Sequence, residues 1–499
     1  MATALASPPQ AGTAAVHSSD GIRRSGFALA AVGLLFLLVQ LVLVPRPLGF
    51  STDEATYLAM TDPRVPELYW TPPRAWGMPI LAAPVTLVSA GLQATRLYFG
   101  LLSSALLVAA FWPWRRVLHP AVAPVAALLF STTWVTIYFG SLVMPNLYVA
   151  FGVLGAIGMF YRATQDPAWW RVLLTGLAAS LVAVVRPTDS VLVLGTVFLG
   201  SLLVPRLRRF GPLAALPVGV AIGWLPWIVE AFLRFGGPIK RLGSAEEAGP
   251  KGLGLDWSRL SIVPRLLDGT PTYCCSGGPA SEAGPLPLLL TLWLIAIPVL
   301  AVVGLVLAAR HGRLAELALV FVPAGLLGAF YVLLPSFTTL RFLLPVLALL
   351  SLPLAAALVA LLTSTTGAAR TVVVAVLALG LVGHLGLMLP KAESVLSQNA
   401  RTRSLELRMA RALQPLVEGR PCMIAGTARR TTGYYLGCDI YSGRPKVRTP
   451  RRVREAEAAG VYVVWVIDRK LPPDTTISSW PQVKVPGMPK RWKVYLPPS

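Results

Sequence analysis

Runs of apolar residues long enough to cross a bilayer recur along this chain, and they limit what it can fold into. A hydrocarbon core about 30 Å thick takes a helix of about 20 residues. Inside it every backbone N–H and C=O must be satisfied within the protein, which favours helices. The stretches 27–45, 96–113, 121–138, 146–162, 171–185, 190–205, 212–233, 286–308, 314–334, 343–362 and 371–389 meet that requirement, about eleven spans in all. Of 499 residues, 55% are hydrophobic and 13% charged, where a soluble domain carries about 25% charged residues. The expected fold is a polytopic α-helical membrane protein.

Basic residues outnumber acidic ones 44 to 22, a net charge of +22. In a soluble chain that balance would suggest nucleic acid. Here the arginines fall in short clusters between apolar spans and no nucleic-acid motif appears, so the charge reads as topology. Arg23-Arg24, Arg115-Arg116, Arg162 with Arg171, Arg206 to Arg209, Arg310 with Arg313, and Arg370 all land on one side, taken as cytoplasmic. Residues 1–25 read as a disordered cytoplasmic tail. The run that follows is long enough to remain as an anchor, unlike a cleaved signal peptide.

The other side receives the long connections. Loop 46–95 contains Tyr57, Tyr69, Trp70 and Trp76, expected as interfacial anchors on short helices, with 80–91 as a possible half-span. Loop 234–285 is rich in Gly and Pro and reads either as disorder or as a lid, with Lys240, Arg241, Trp257 and Tyr273 suited to a polar anionic ligand. After Pro390 the composition turns soluble. Residues 392–416 are predicted to form an amphipathic helix with Leu405, Met409, Leu413 and Leu416 on one stripe. Strands are expected at 422–425, 461–467 and 492–496, with a helix at 451–459. The domains are thus 26–390 in the membrane and a small extracytoplasmic α/β domain at 391–499. Its basic residues form either a solvated face or a surface for an anionic polymer.

Three stretches carry possible chemistry. Asp53-Glu54 follows the first span directly, where carboxylates can act as base, metal ligand or anchor. Ser51 or Thr52 followed by acids is equally good helix-capping chemistry. Arg341 stands where a helix enters the membrane, placed either to snorkel or to hold a phosphate in its guanidinium fork. Arg186-Pro187-Thr188-Asp189 joins two spans, with an internal Arg186–Asp189 pair as one reading. Cys422 and Cys438 are placed to form a disulfide outside the reducing compartment. The adjacent Cys274 and Cys275 bridge each other only with strain.

The order Asp53-Glu54 with Tyr57, then Trp227-Ile228-Val229-Glu230, Arg234-Phe235-Gly236-Gly237-Pro238, and late Arg341-Phe342-Leu343-Leu344-Pro345 resembles the glycosyltransferase-C superfamily. The likeness is to its bacterial aminoarabinose transferase and protein O-mannosyltransferase branch, over residues 26–390. The resemblance implies an enzyme of the plasma membrane that moves a sugar from a polyprenyl-phosphate donor to an extracytoplasmic glycan, lipid or protein by inverting displacement. Asp53 would be the base and Glu54 its partner. Arg341 would hold the donor phosphate, with Tyr57, Arg74, Arg186 and Lys240 as further substrate-binding residues. No cofactor is required, and a divalent metal is optional. Met144-Pro145-Asn146 stands where relatives often carry an acid, and Asn146 is a poorer cation ligand than a carboxylate. A lipid-linked sugar carrier would call for midplane charges and two similar halves, neither of which the sequence shows. A non-catalytic envelope-assembly protein is the other alternative.

Overall fold

The structure is a computed structural model that describes residues 19–68, 70–89, 91–248, 254–263, 288–335, 338–426, 430–442, 450–468, 475, 477–488 and 492–497. Among these residues, eight helices are long and apolar enough to cross a membrane, nine if a bent pair counts as one span. The chain is a polytopic helical membrane protein with a small C-terminal α/β domain. Helices Trp169–Val185 and Pro187–Leu203 are apolar but shorter, 17 residues each. Each of the eleven expected stretches falls on a helix or on the bent pair.

The first helix, Ser19–Leu43, starts within the region expected to be a disordered tail, and Asp20 in its first turn suits the positive end of the helix dipole. Stretch 121–138 is two helices, Val122–Ser131 and Trp134–Gly140, bent by 77°. Hydroxyls cause the break. Thr132 Oγ1 donates to the Leu128 carbonyl at 2.6 Å, and Thr133 caps the second helix by accepting from the Thr136 N–H at 3.4 Å. Helix Pro145–Gln165 is the most enclosed span, while Leu288–Arg310 turns much of its surface outward.

Two short helices, Thr52–Ala59 and Gly77–Val88, structure the first long loop. Gly77 lets the second approach helix Trp169–Val185, since a Cβ there would stand 2.5 Å from the Val185 Cα. Tyr57, Trp70 and Trp76 are not interfacial anchors, and Tyr69 lies outside the described residues. Tyr57 and Trp70 are buried, and the rings of Tyr57, Trp70 and Trp76 follow one another at 5.9 Å, because the Trp70 indole donates inward to Glu230 at 3.0 Å.

The last span does not end at Pro390. Helix Gly367–Val417 continues through it for 51 residues, with Met388, Ala392 and Leu396 buried on either side of the proline. That packing offsets the backbone hydrogen bond that proline removes. Beyond it, strands β1 (Cys422–Gly426), β2 (Asp439–Ser442), β3 (Tyr462–Ile467), β4 (Gln482–Val483) and β5 (Lys493–Tyr495) form one sheet in the order β2-β1-β3-β5-β4. β1 pairs in parallel with β2 and β3, whereas β5 runs antiparallel to β3 and β4. Alternation divides the strands between two cores. Ile424, Val464, Val466 and Val494 join the main core with Met409 and Leu413, while Met423, Ala425, Val463 and Trp465 pack with Val453 of helix Arg451–Ala458.

Candidate active site

The helix Thr52–Ala59 starts with a complete capping box. The Glu54 N–H donates to Ser51 Oγ at 3.3 Å, and the Ser51 N–H donates to Glu54 Oε2 at 2.8 Å. Glu54 is 0% exposed. Its Oε1 accepts from Arg96 and from the Val143 N–H at 3.0 Å, and its Oε2 accepts from Arg96 at 3.2 Å and Arg403 at 3.1 Å. Burial alone would raise its pKa. The Arg96 and Arg403 charges, with hydrogen bonds from Arg96 and Ser51, bring it down to about 2. Glu54 was expected to assist or orient Asp53 within the catalytic pair, but a carboxylate so enclosed cannot meet a substrate. It anchors the helix that presents Asp53.

Asp53 points the other way, with its side chain 34% exposed. Its Oδ1 accepts from Arg74 at 2.7 Å and its Oδ2 from Arg341 at 3.1 Å. Burial pushes this carboxyl up, but the two guanidinium groups outweigh it and leave the pKa below its ordinary value. Asp53 and Arg341 line one cavity of about 300 Å³ with Phe50, Tyr138, Asn399 and Thr431. Arg341 follows Leu340 in the short 3₁₀ turn Leu340–Leu343 that leads into helix Leu344–Ser364, so the membrane entry sets its position. Its buried Nε has no hydrogen-bond partner among the described residues.

Further contacts fix this geometry. Arg241 is fully buried and donates to the Pro72 carbonyl at 2.9 Å, the Arg74 carbonyl at 2.8 Å and Glu230 at 2.7 Å. It was expected to meet a ligand from a lid, but it braces the segment carrying Arg74. On the other flank, the Phe50 N–H donates to the Tyr435 hydroxyl at 2.6 Å, and the Phe50 ring stacks on Tyr435 at 5.8 Å. Tyr434 donates to Asp62 Oδ2 at 3.0 Å. The Cys422–Cys438 disulfide closes the segment bearing both tyrosines. The C-terminal domain thereby grips both ends of the Asp53 helix.

The other predicted residues separate into two groups. Arg74 reaches Asp53 and also covers the Tyr57 ring, 4.8 Å from its centroid. Arg186 does not line the cavity: it pairs with Asp189 at 3.3 Å and donates to the Tyr331 hydroxyl at 2.7 Å. Lys240 lies exposed on helix Pro238–Ala248, away from the cavity lining. Tyr273, Cys274 and Cys275 lie outside the described residues, as does most of the expected lid. Sequence reasoning missed Arg96, Arg403, Tyr138 and Thr431. An arginine within an otherwise apolar run was the available signal for Arg96.

The donor set fits a resident metal poorly. Each Asp53 oxygen is held by an arginine, Glu54 is enclosed, and Asn146 is fully buried. Among the described residues no three His, Cys, Asp or Glu side chains are grouped to hold an ion.

No family model matches the sequence. Among curated proteins there is likewise no match. Solved structures do match. ArnT from Cupriavidus metallidurans bound to undecaprenyl phosphate is 15% identical with a TM-score of 0.63, over 96% of this chain and 98% of that one. The apo state of ArnT gives 14% identity and a TM-score of 0.62, over 95% and 98%. The Archaeoglobus fulgidus oligosaccharyltransferase in complex with Zn and sulfate gives 12% and 0.51, over 88% of this chain and 68% of that one. The chain has the glycosyltransferase-C fold that its sequence led us to expect.

Proposed function

We propose that the protein is a membrane glycosyltransferase that moves a sugar from a polyprenyl-phosphate donor to an acceptor hydroxyl. The observation that carries this reading is the Asp53–Arg341 pair at a polar cavity, at the entry of an apolar helix. A base, a phosphate-binding cation and access from the bilayer are what such a transfer needs. The binding of undecaprenyl phosphate by ArnT, which shares the fold, supports the donor class.

In the reaction, the acceptor oxygen attacks the anomeric carbon as the bond from that carbon to the phosphate oxygen breaks. The acceptor proton passes to Asp53, and polyprenyl phosphate leaves with its charge held by Arg341. One displacement inverts the anomeric centre. Arg341 makes the two events interdependent. Once the donor phosphate draws its guanidinium away, Asp53 loses one of the two cations that lower its basicity and becomes the stronger base. Arg74 stays on the other oxygen and orients it. No step requires a metal.

The arginine clusters support a cytoplasmic N-terminus, with Asp53 and the C-terminal domain on the outer face of the plasma membrane. Titration of the protein in nanodiscs with undecaprenyl phosphate tests the reading. Saturable binding that Arg341→Ala weakens is the expected result, and absence of binding to the native protein overturns it.

A further inference from the structure

We propose that the cavity wall built by the long helix Gly367–Val417 and helix Arg430–Leu436 is the acceptor subsite, and that the acceptor it takes is a saccharide. The proposal rests on the transferase reading and specifies its acceptor. Asn399, Thr402 and Glu406 follow one another at three- and four-residue spacing, which places them on one helix face, and all three line the cavity. Thr431 joins them from helix Arg430–Leu436.

Two hydroxyls lining this cavity are poised for a ligand. Thr431 is 1% exposed, and its Oγ1 has no hydrogen-bond partner among the described residues. A buried hydroxyl left in that state is destabilising, and a ligand hydroxyl in the cavity would satisfy it. Tyr138 accepts a hydrogen bond from Arg403 at 2.8 Å, which leaves its own proton to donate.

The charge pattern identifies the ligand. Arg403 is consumed by the Gly49 carbonyl, Glu54 and Tyr138, so among the described residues of the wall the groups offered are amide, hydroxyl and carboxylate. Glu406 accepts from the Thr432 hydroxyl at 2.7 Å and lines the cavity as a hydrogen-bond acceptor. Phe50, Tyr138 and Phe139 add aromatic surface for the C–H faces of a sugar ring. At about 300 Å³ the cavity suits a terminal sugar unit. Along the helix, residues 399–406 lie about 15–25 Å beyond the apolar stretch ending at Leu389. The acceptor is therefore reached from water and not from the bilayer.

The full-length protein in detergent, applied to arrays of oligosaccharides, peptides and glycolipid headgroups, tests this. Retention on oligosaccharides is expected, falling at least tenfold in Thr431→Val and in Asn399→Ala. Thr431→Val removes an unsatisfied hydroxyl without changing side-chain shape, so its melting temperature should hold or rise as retention falls. Retention on peptides or headgroups alone, no retention, or retention indifferent to both variants would overturn the proposal. Undecaprenyl phosphate titrated into the native protein separates the two levels. Binding there without oligosaccharide retention overturns the saccharide subsite alone, whereas failure of both removes the transferase reading beneath it.

Discussion

Arg341 meets Asp53 across 288 positions of sequence, guanidinium to carboxylate at 3.1 Å, and this contact joins the entry of a late membrane span to the first long loop. Snorkelling alone would point the arginine at headgroups. Here it closes on a carboxylate that an arginine from the same loop already holds, leaving both charges at the edge of an open cavity.

Arg341→Ala should strongly weaken saturable undecaprenyl phosphate binding, and Arg341→Lys should recover only part of it, because an ammonium cannot reproduce the planar fork. A nanodisc titration of both variants checks this. Equal affinity across native, Ala and Lys proteins would remove Arg341 from the phosphate.

The pH dependence of turnover should follow the cations around Asp53. Its depressed pKa puts the acid limb of the free protein below the ordinary carboxylate range. Arg74→Gln removes a lowering charge, so the limb should move to higher pH. A pH–rate profile in which Arg74→Gln leaves the limb in place would contradict the assignment of Asp53 as the base.

Glu54 should matter for stability. Its folded pKa near 2 lies below the ordinary 4.5, so it contributes about 3 kcal/mol above pH 4.5 that is lost as pH falls toward 2. Glu54→Gln leaves Arg96 and Arg403 buried with no carboxylate and should cost roughly 3–5 kcal/mol at neutral pH. Because the variant lacks that limb, the gap between it and the native protein should narrow through the same window. Thermal unfolding at stepped pH reads this directly.

Removing the disulfide should loosen the grip on the Asp53 helix. Cys422→Ser with Cys438→Ser frees a closed segment of sequence separation 16, a loss of roughly 3 kcal/mol. The melting temperature should fall. Turnover per folded molecule should fall as well, since Tyr434 and Tyr435 lie within the closed segment and hold Phe50 and Asp62. Unchanged turnover would show that the domain contributes stability alone.

Much of this was legible because it is local. Apolar run length gives the spans, and Asp53, Arg341 and the Arg186–Asp189 pair stand out as charges at span boundaries. What was not legible is which distant groups complete each charge. Nothing in the neighbourhood of Glu54 reveals that Arg96, counted as the start of a span, and Arg403, within the amphipathic helix expected at 392–416, converge on it. Arg241 resembled a ligand-binding cation because Glu230, its partner, sits in the preceding span. The bend after Ser131 had a signal in three consecutive hydroxyl residues, which apolar counting over a long window passes over. Pro390 misled in the other direction, since packing outside the local sequence holds the helix together across it.

The most direct test is Asp53→Asn, which keeps size and hydrogen-bonding shape and removes basicity. Label transfer from a polyprenyl-phosphate sugar should be measured in membranes whose only source of this activity is the variant, alongside undecaprenyl phosphate binding and thermal stability. The expected outcome is a fall in turnover of about two to four decades, with donor binding retained and the fold intact. Normal turnover in Asp53→Asn would contradict the account at its centre.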